Sequence, residues 1–142
     1  MKKIRITIHN RLEDVTRVAD ALDTFAAQHG LSRLVTHDLH VCLDEALSNI
    51  LKFAYTDRAA HEITVELALG DGLVRAEVMD DGLPFDPRGV PPYHPGNRLA
   101  GGLGVYFIRK LMDDVAYTRI GRHNHLVMVK KTAMGSALRG NG

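Results

Sequence analysis

The stretch VCLDEALSNILKFAY, residues 41–55, decides how the rest of this 142-residue chain reads. Set out at the helical period, it has two unlike faces. Leu39 just ahead of it, then Cys42, Leu43, Ala46, Leu47, Ile50 and Ala54, recur at three- and four-residue steps and predict a buried side. Glu45, Asn49 and Lys52 recur at steps of four and three on another face, about one turn apart. A carboxylate can take a proton from a hydroxyl, an amide oxygen is a hard ligand suited to Mg²⁺, and an ammonium can pair with phosphate. Those are the parts that phosphoryl transfer asks of one helix, although such a line taken alone is most often a solvated face.

Length and composition bound the rest. A chain of 142 residues makes one domain and buries roughly two-thirds of its unfolded surface, enough for a core without staples. Its 45% apolar and 25% charged residues are those of a globular protein, not a disordered one. A formal charge of +1 argues against a dedicated nucleic-acid surface. Cys42 is the single cysteine, which rules out an internal disulfide and a cysteine-rich metal site; its place on the apolar stripe reads as a packed thiol. No run approaches the roughly 20 apolar residues of a membrane span, and no secretory segment opens the chain, so cytoplasmic residence is the expectation.

In chain order, residues 3–8 alternate Ile4, Ile6 and Ile8 against Arg5 and Thr7, a half-buried strand. Asn10 and Glu13 resemble a capping box for a helix carrying Leu12, Val15, Val18, Leu22 and Phe25, with Gly30 as its stop. Ser32 can cap the second helix, expected to run to about Tyr55. Residues 62–69 and 73–80 are strands joined by Gly70-Asp71-Gly72, a hairpin signal. Asp80 shares parity with Val74, Ala76 and Val78 and so should face the covered side, where a carboxylate needs a partner. Residues 82–102 show no period and hold every proline, a long loop of functional type. A short amphipathic helix over 103–112 follows, then strands 115–120 and 126–131 around a turn at 121–125. Residues 134–142 read as a flexible tail beyond a domain at 1–133. The predicted class is α+β: about three helices layered on one face of a mixed, mainly antiparallel sheet.

Two further motifs bear on chemistry. Asp80-Asp81-Gly82 puts a carboxylate at a strand end, where it can accept from an exocyclic amino group such as adenine N6, with Gly82 allowing close backbone approach; alone it is an ordinary turn. Gly101-Gly102-Leu103-Gly104 leads into a helix whose free amides can cradle phosphate; alone it is an ordinary loop-to-helix junction. The histidine pairs His37/His40 and His123/His125 lack the further ligands that a transition-metal site needs.

Together, Glu-x-x-x-Asn on a helix, Asp-x-Gly after a strand and a long loop closing on Gly-x-Gly resemble the Bergerat-fold (GHKL) ATPases. That superfamily holds gyrase, heat-shock chaperone, histidine kinase and mismatch-repair ATPase domains. Within it, DEALSNILKFAY, VMDDGLPFDP and GGLGVYFIRKLMDDV are similar to the stand-alone anti-sigma-factor serine kinases, from the first strand to Lys131. The resemblance implies ATP and Mg²⁺ as cofactors and a Bergerat ATP-binding fold. Glu45 matches the acid that activates the attacking hydroxyl, Asn49 the Mg²⁺ ligand, and Lys52 a basic position near the phosphates. Asp80 matches the adenine-reading carboxylate, with Gly82 beside the base, and Pro84 and Phe85 fall where the lid begins. Gly102 and Gly104, with the amides of Leu103, Val105 and Tyr106 and with Gly101 ahead of them, match the phosphate-binding turn. Pro84 departs from the wider superfamily, which often has a second glycine there, and residues 86–100 are the least family-like.

The implied function is an ATP/Mg-dependent serine/threonine protein kinase acting as an anti-sigma factor. It would phosphorylate a small antagonist protein and bind a sigma factor, without direct contact to nucleic acid or membrane. Dimers are frequent in the family, so a homodimer is an open assembly state. The alternative reading is a non-catalytic nucleotide-gated binding module of the same fold.

Overall fold

A computed structural model of the protein describes residues 1–85 and 102–132. The expected lid over 86–100, Gly101 and the tail over 134–142 lie outside the described residues. In chain order the elements are β1 (Lys2–His9), α1 (Leu12–His29), α2 (Arg33–Asn49), β2 (Glu62–Gly70), β3 (Leu73–Asp80), α3 (Gly102–Leu111), β4 (Asp114–Ile120) and β5 (His123–Lys131). The strands form one sheet in the order β1-β2-β3-β5-β4, and every pairing is antiparallel. The α+β layering expected from sequence is met, with the three helices packed on one face.

Period-two alternation explains which face they cover. Ile8, Ile63, Val65, Leu67, Val74, Ala76, Val78 and Met128 point into the core. There they meet Val18, Leu22 and Phe25 of α1, Leu39, Cys42, Leu43, Ala46 and Leu47 of α2, and Ile108 of α3. Burying one such large aliphatic or aromatic side chain is worth about 1.5–3 kcal/mol, so the apolar stripe of α2 anchors the layer. Cys42 is fully buried there, and burial pushes its thiol up to about 12, the state of a packing residue.

The turns follow the expected chemistry. Asp71 (φ 53°) and Gly72 (φ 75°) both adopt positive φ, the sign pattern of a type I′ hairpin. Gly30 caps α1 in the left-handed region (φ 70°), and Ser32 Oγ accepts the Val35 N–H at 3.1 Å to cap α2.

Three expectations are revised. The capping box is not formed: Arg11 occupies the N-cap position with no side-chain cap. Asp14 in the first turn ties the helix start to β1 instead, accepting the His9 N–H at 2.9 Å and an Arg11 Nη2–H at 3.1 Å. Asn10 is engaged elsewhere, its Oδ1 accepting the His61 N–H at 2.8 Å. The second helix is α-helical only to Asn49 and then widens into a π turn over Ile50–Ala54. The last strands meet at a two-residue turn, Gly121–Arg122, so β5 begins at His123 rather than near 126.

The buried Asp14 carboxyl lies below its ordinary range, chiefly because the His9 amide donates to it and Arg11 stands beside it. A depressed carboxylate stabilises the fold above its unfolded pKa and loses that contribution as pH falls through the folded value. Asp14→Asn should therefore lower Tm clearly at about pH 7, with the gap to wild type narrowing as pH falls below the ordinary carboxylate range. Thermal melts across that range check it.

Candidate functional site

Where α2 gives way to its π turn, a cleft opens between the helices and the cleft-side ends of β3, β4 and β5. Asn49, Phe53 and Ala54 line it from one side, Asp80, Leu83 and Phe85 from the end of β3, Ile108 from α3, and Tyr117 and Asn124 from β4 and β5. Phe53, Leu83 and Phe85 are partly exposed apolar side chains, so the cleft has greasy walls and few polar groups. A flat heteroaromatic ring suits such a lining.

Asp80 is the acid in this wall, only 6% exposed. Its Oδ1 accepts the Gly82 N–H at 2.8 Å and an Asn124 Nδ2–H at 2.9 Å. Its Oδ2 has no donor among the described residues. Burial pushes its pKa up; the Asn124 and Gly82 donors pull the other way. The arrangement is a buried acceptor with one oxygen held by protein and one open to the cleft.

Asn49 sits on the opposite wall, 7% exposed, with no side-chain hydrogen bond among the described residues. An orphaned buried amide beside a cleft is a costly feature unless a ligand or ion completes it. Its hard oxygen fits Mg²⁺. Glu45 lies half-buried one turn earlier on α2. Neither Glu45 nor the exposed Lys52, which falls within the π turn, is among the residues lining the cleft.

The π turn has a definite partner. A Cβ on Gly82 would stand 2.5 Å from Ala54 Cβ and 2.7 Å from Ala54 O. Leu83 N–H donates to that same carbonyl at 2.8 Å. The close approach that demands glycine at position 82 is thus to Ala54. Next to it, Tyr55 stacks on His61 with ring centroids 4.0 Å apart and donates to Asp81 Oδ1 at 3.1 Å. Burial and the carboxylates of Asp80 and Asp81 push the Tyr55 hydroxyl up, keeping it a donor.

The direction of α3 follows from three contacts. Lys130 Nζ reaches both Asp38 Oδ2 (3.0 Å) near the start of α2 and Leu111 O (2.6 Å) at the end of α3. Cys42 Sγ meets Phe107 O at 3.8 Å. Four residues forward on α2 correspond to four residues back on α3, so the helices run antiparallel. At about 1.5 Å per residue, the first turn of α3 then reaches the Asn49 end of α2. Gly102, Leu103, Gly104, Val105 and Tyr106 form the first half of α3, and its leading amides are free of helical partners.

Sequence reading missed Asn124, Tyr117, Arg119 and Phe53. The sequence places Asn124 in the expected turn at 121–125, yet it shares parity with Leu126, Met128 and Lys130, and that alternation extends back to it. Two of the histidines pair with carboxylates: His40 with Asp23 at 2.6 Å and His125 with Glu77 at 3.0 Å. Among the described residues there is no cluster suited to a transition metal, and no helix long and apolar enough to cross a membrane.

Comparison with known proteins adds to this geometry. Residues 8–130 match the family described as histidine kinase-like ATPase domain. Over 121 residues the chain is 31% identical to a serine-protein kinase RsbW of Listeria monocytogenes, covering 80% of this chain and 77% of that one. A serine-protein kinase RsbW of Bacillus cereus is 31% identical over 122 residues, covering 80% and 76%. Among solved structures, the RsbU and RsbW domains of a Mycobacterium tuberculosis protein superpose with a TM-score of 0.69 at 19% identity. That match covers 92% of this chain and 32% of the other, so this chain spans about a third of that one. A blue-light activated histidine kinase of Erythrobacter litoralis gives a TM-score of 0.60 at 18% identity, over 87% of this chain and 42% of that one. At such identities the structural likeness speaks for the fold alone.

Replacing Gly82 by alanine forces the Asp80 loop away from Ala54. Gly82→Ala should cost roughly 1–3 kcal/mol of stability by overpacking, read from denaturant unfolding.

Proposed function

This chain belongs to the histidine kinase-like ATPase domain family, and from that membership we propose that it is an ATP-dependent serine-protein kinase acting as an anti-sigma factor. The observation that carries the reading is that Asp80 and Asn49, distant in sequence, open into one apolar cleft. The free Asp80 Oδ2 accepts the adenine amino group, and Phe53, Leu83 and Phe85 flank the ring. The leading amides of α3, with their partial positive charge, take the phosphates at the Asn49 end. Asn49 would hold a Mg²⁺ ion, which supplies charge neutralisation to the phosphate chain.

Glu45 is the acid nearest that end on α2. In the proposed reaction it accepts the proton of a partner serine hydroxyl. The serine oxygen forms a bond to the γ-phosphorus, the bond from that phosphorus to the β–γ bridging oxygen breaks, and ADP leaves with the electron pair. Lys52, one turn along the π segment, offers a cation to the phosphates. The products are ADP and a phosphoserine carrying nearly two negative charges, enough to expel a bound antagonist from a shared surface. The substrate is accordingly a small antagonist protein and the competing partner a sigma factor, with a homodimer as the assembly that family resemblance suggests. The unit that does this is the domain over 1–133.

Incubation with Mg-ATP and a cognate antagonist should yield a phosphoserine on the antagonist, and Glu45→Ala should reduce the rate at least a hundredfold. Equal rates for the two proteins would overturn the assignment of Glu45. Tight ATP binding with no transfer to any antagonist would instead support the nucleotide-gated binding module. Mg-ATP at about 100 times Kd should stabilise the wild type by about 2.7 kcal/mol, and Asp80→Asn should abolish most of that shift in a thermal melt.

A further inference from the structure

Asp80 belongs to a polar assembly whose other members nucleotide binding as described does not use. Asp80, Asn124 and Arg119 are direct cross-strand neighbours on β3, β5 and β4, forming one row of the sheet. Asn124 is 5% exposed and every polar atom of its side chain is engaged. Its Oδ1 accepts from the Tyr117 hydroxyl and from Arg119 Nη1 at 2.9 Å. Its Nδ2 donates to Asp80 Oδ1 at 2.9 Å and lies 3.2 Å from Gly82 O and 3.1 Å from Leu83 O. Arg119 Nη1 also donates to Gly82 O at 2.8 Å.

This arrangement allows one orientation of the amide. Turned over, the NH₂ group would face the guanidinium and hydroxyl donors, and the amide oxygen would face the Asp80 carboxylate. Both contacts are repulsive. Tyr117 and Arg119 therefore aim the Asn124 N–H bonds at Asp80 and at the carbonyls of the loop that follows it.

Resting on the ATP reading of the cleft, we propose that Asn124, oriented by Tyr117 and Arg119, is a positioning residue that makes the site select a 6-amino purine over a 6-oxo purine. Its donation occupies Asp80 Oδ1, leaving Oδ2 as a pure acceptor toward the ring. An ionised carboxylate attracts the amino group of adenine and repels the carbonyl of a 6-oxo purine. A protonated one can donate to that carbonyl, and the discrimination disappears. The Asn124 donor opposes the effect of burial on Asp80 and so favours the ionised form. Among the described residues, the other charged and titratable groups around this carboxyl are Asp81 on its own loop, Tyr55 beyond the π turn, and Tyr117 and Arg119 on β4.

The test compares ATP with inosine triphosphate, which differs from it by the 6-oxo group, on wild type, Asn124→Ala and Tyr117→Phe. Binding of each nucleotide is titrated calorimetrically across pH. Asn124→Ala should weaken ATP by roughly tenfold while changing inosine triphosphate far less, so that the ratio of the two Kd values narrows. The acidic limb of ATP binding should move to higher pH, because the carboxyl is protonated more readily without its donor. Tyr117→Phe, which keeps Asn124 and removes one of the groups aiming it, should shift both readouts the same way by less. It carries the test should Asn124→Ala fail to fold. A merely structural role would weaken both nucleotides equally and leave the pH limb in place; that result in a folded variant overturns the proposal and spares the ATP reading. Failure of the wild type to bind ATP would overturn both.

Discussion

A carboxylate taken out of water at the end of a central strand is the constraint to which the surrounding structure answers. Asp80 is buried because it shares the inward parity of Val74, Ala76 and Val78. An acid there is costly without donors, and the chain supplies two, the Gly82 amide and the Asn124 amide, both at one oxygen. To bring the Gly82 amide round, the chain after β3 must turn tightly. To hold that turn, it docks Gly82 and Leu83 on the carbonyl of Ala54. The π turn after Asn49 presents that carbonyl. One buried charge thus links the end of α2, the loop after β3 and the last two strands.

The same linkage assembles the site of a histidine kinase-like ATPase domain. The two walls of the cleft come from elements joined through β2 and its hairpin, and they meet only because α2 lies across the sheet. α2 is held there by its apolar stripe, and α3 by its antiparallel packing and by Lys130, whose ammonium ties the end of one helix to the start of the other. A rigid apolar layer beneath the cleft makes the polar atoms above it precise in position. Among the buried polar side chains of the described residues, the Asn49 amide and Asp80 Oδ2 have no hydrogen-bond partner, and both residues line the cleft. That is the pattern of a binding site in which the ligand completes the hydrogen bonding.

Much of the fold was legible from local signals. Alternation in β1, β2 and β3, the glycine hairpin after Gly70 and the stop at Gly30 depend on a few neighbouring residues, and each appears in the structure. Asp80 was legible too, because parity along a strand is a local property. The capping box was misread because Asn10 is taken by a long-range partner, His61, which local spacing does not reveal. The π turn escaped for a similar reason: 41–55 carries a continuous helical period, and the widening after Asn49 places Ala54 against a glycine far along the chain.

By itself, then, the sequence determined the class of fold, the inward parity of Asp80, the buried stripe of α2 and the motifs that resemble one ATPase superfamily. These are matters of period and residue type, set by the backbone geometry of single elements. Only the tertiary structure decided that Asn124, not a turn residue but a strand residue, would stand opposite Asp80, and that Tyr117 and Arg119 would aim it. It alone decided that Gly82 would be required by Ala54. Cross-strand register brings Asp80 to Asn124 and loop docking brings Gly82 to Ala54, and no local pattern encodes which polar atom will find which.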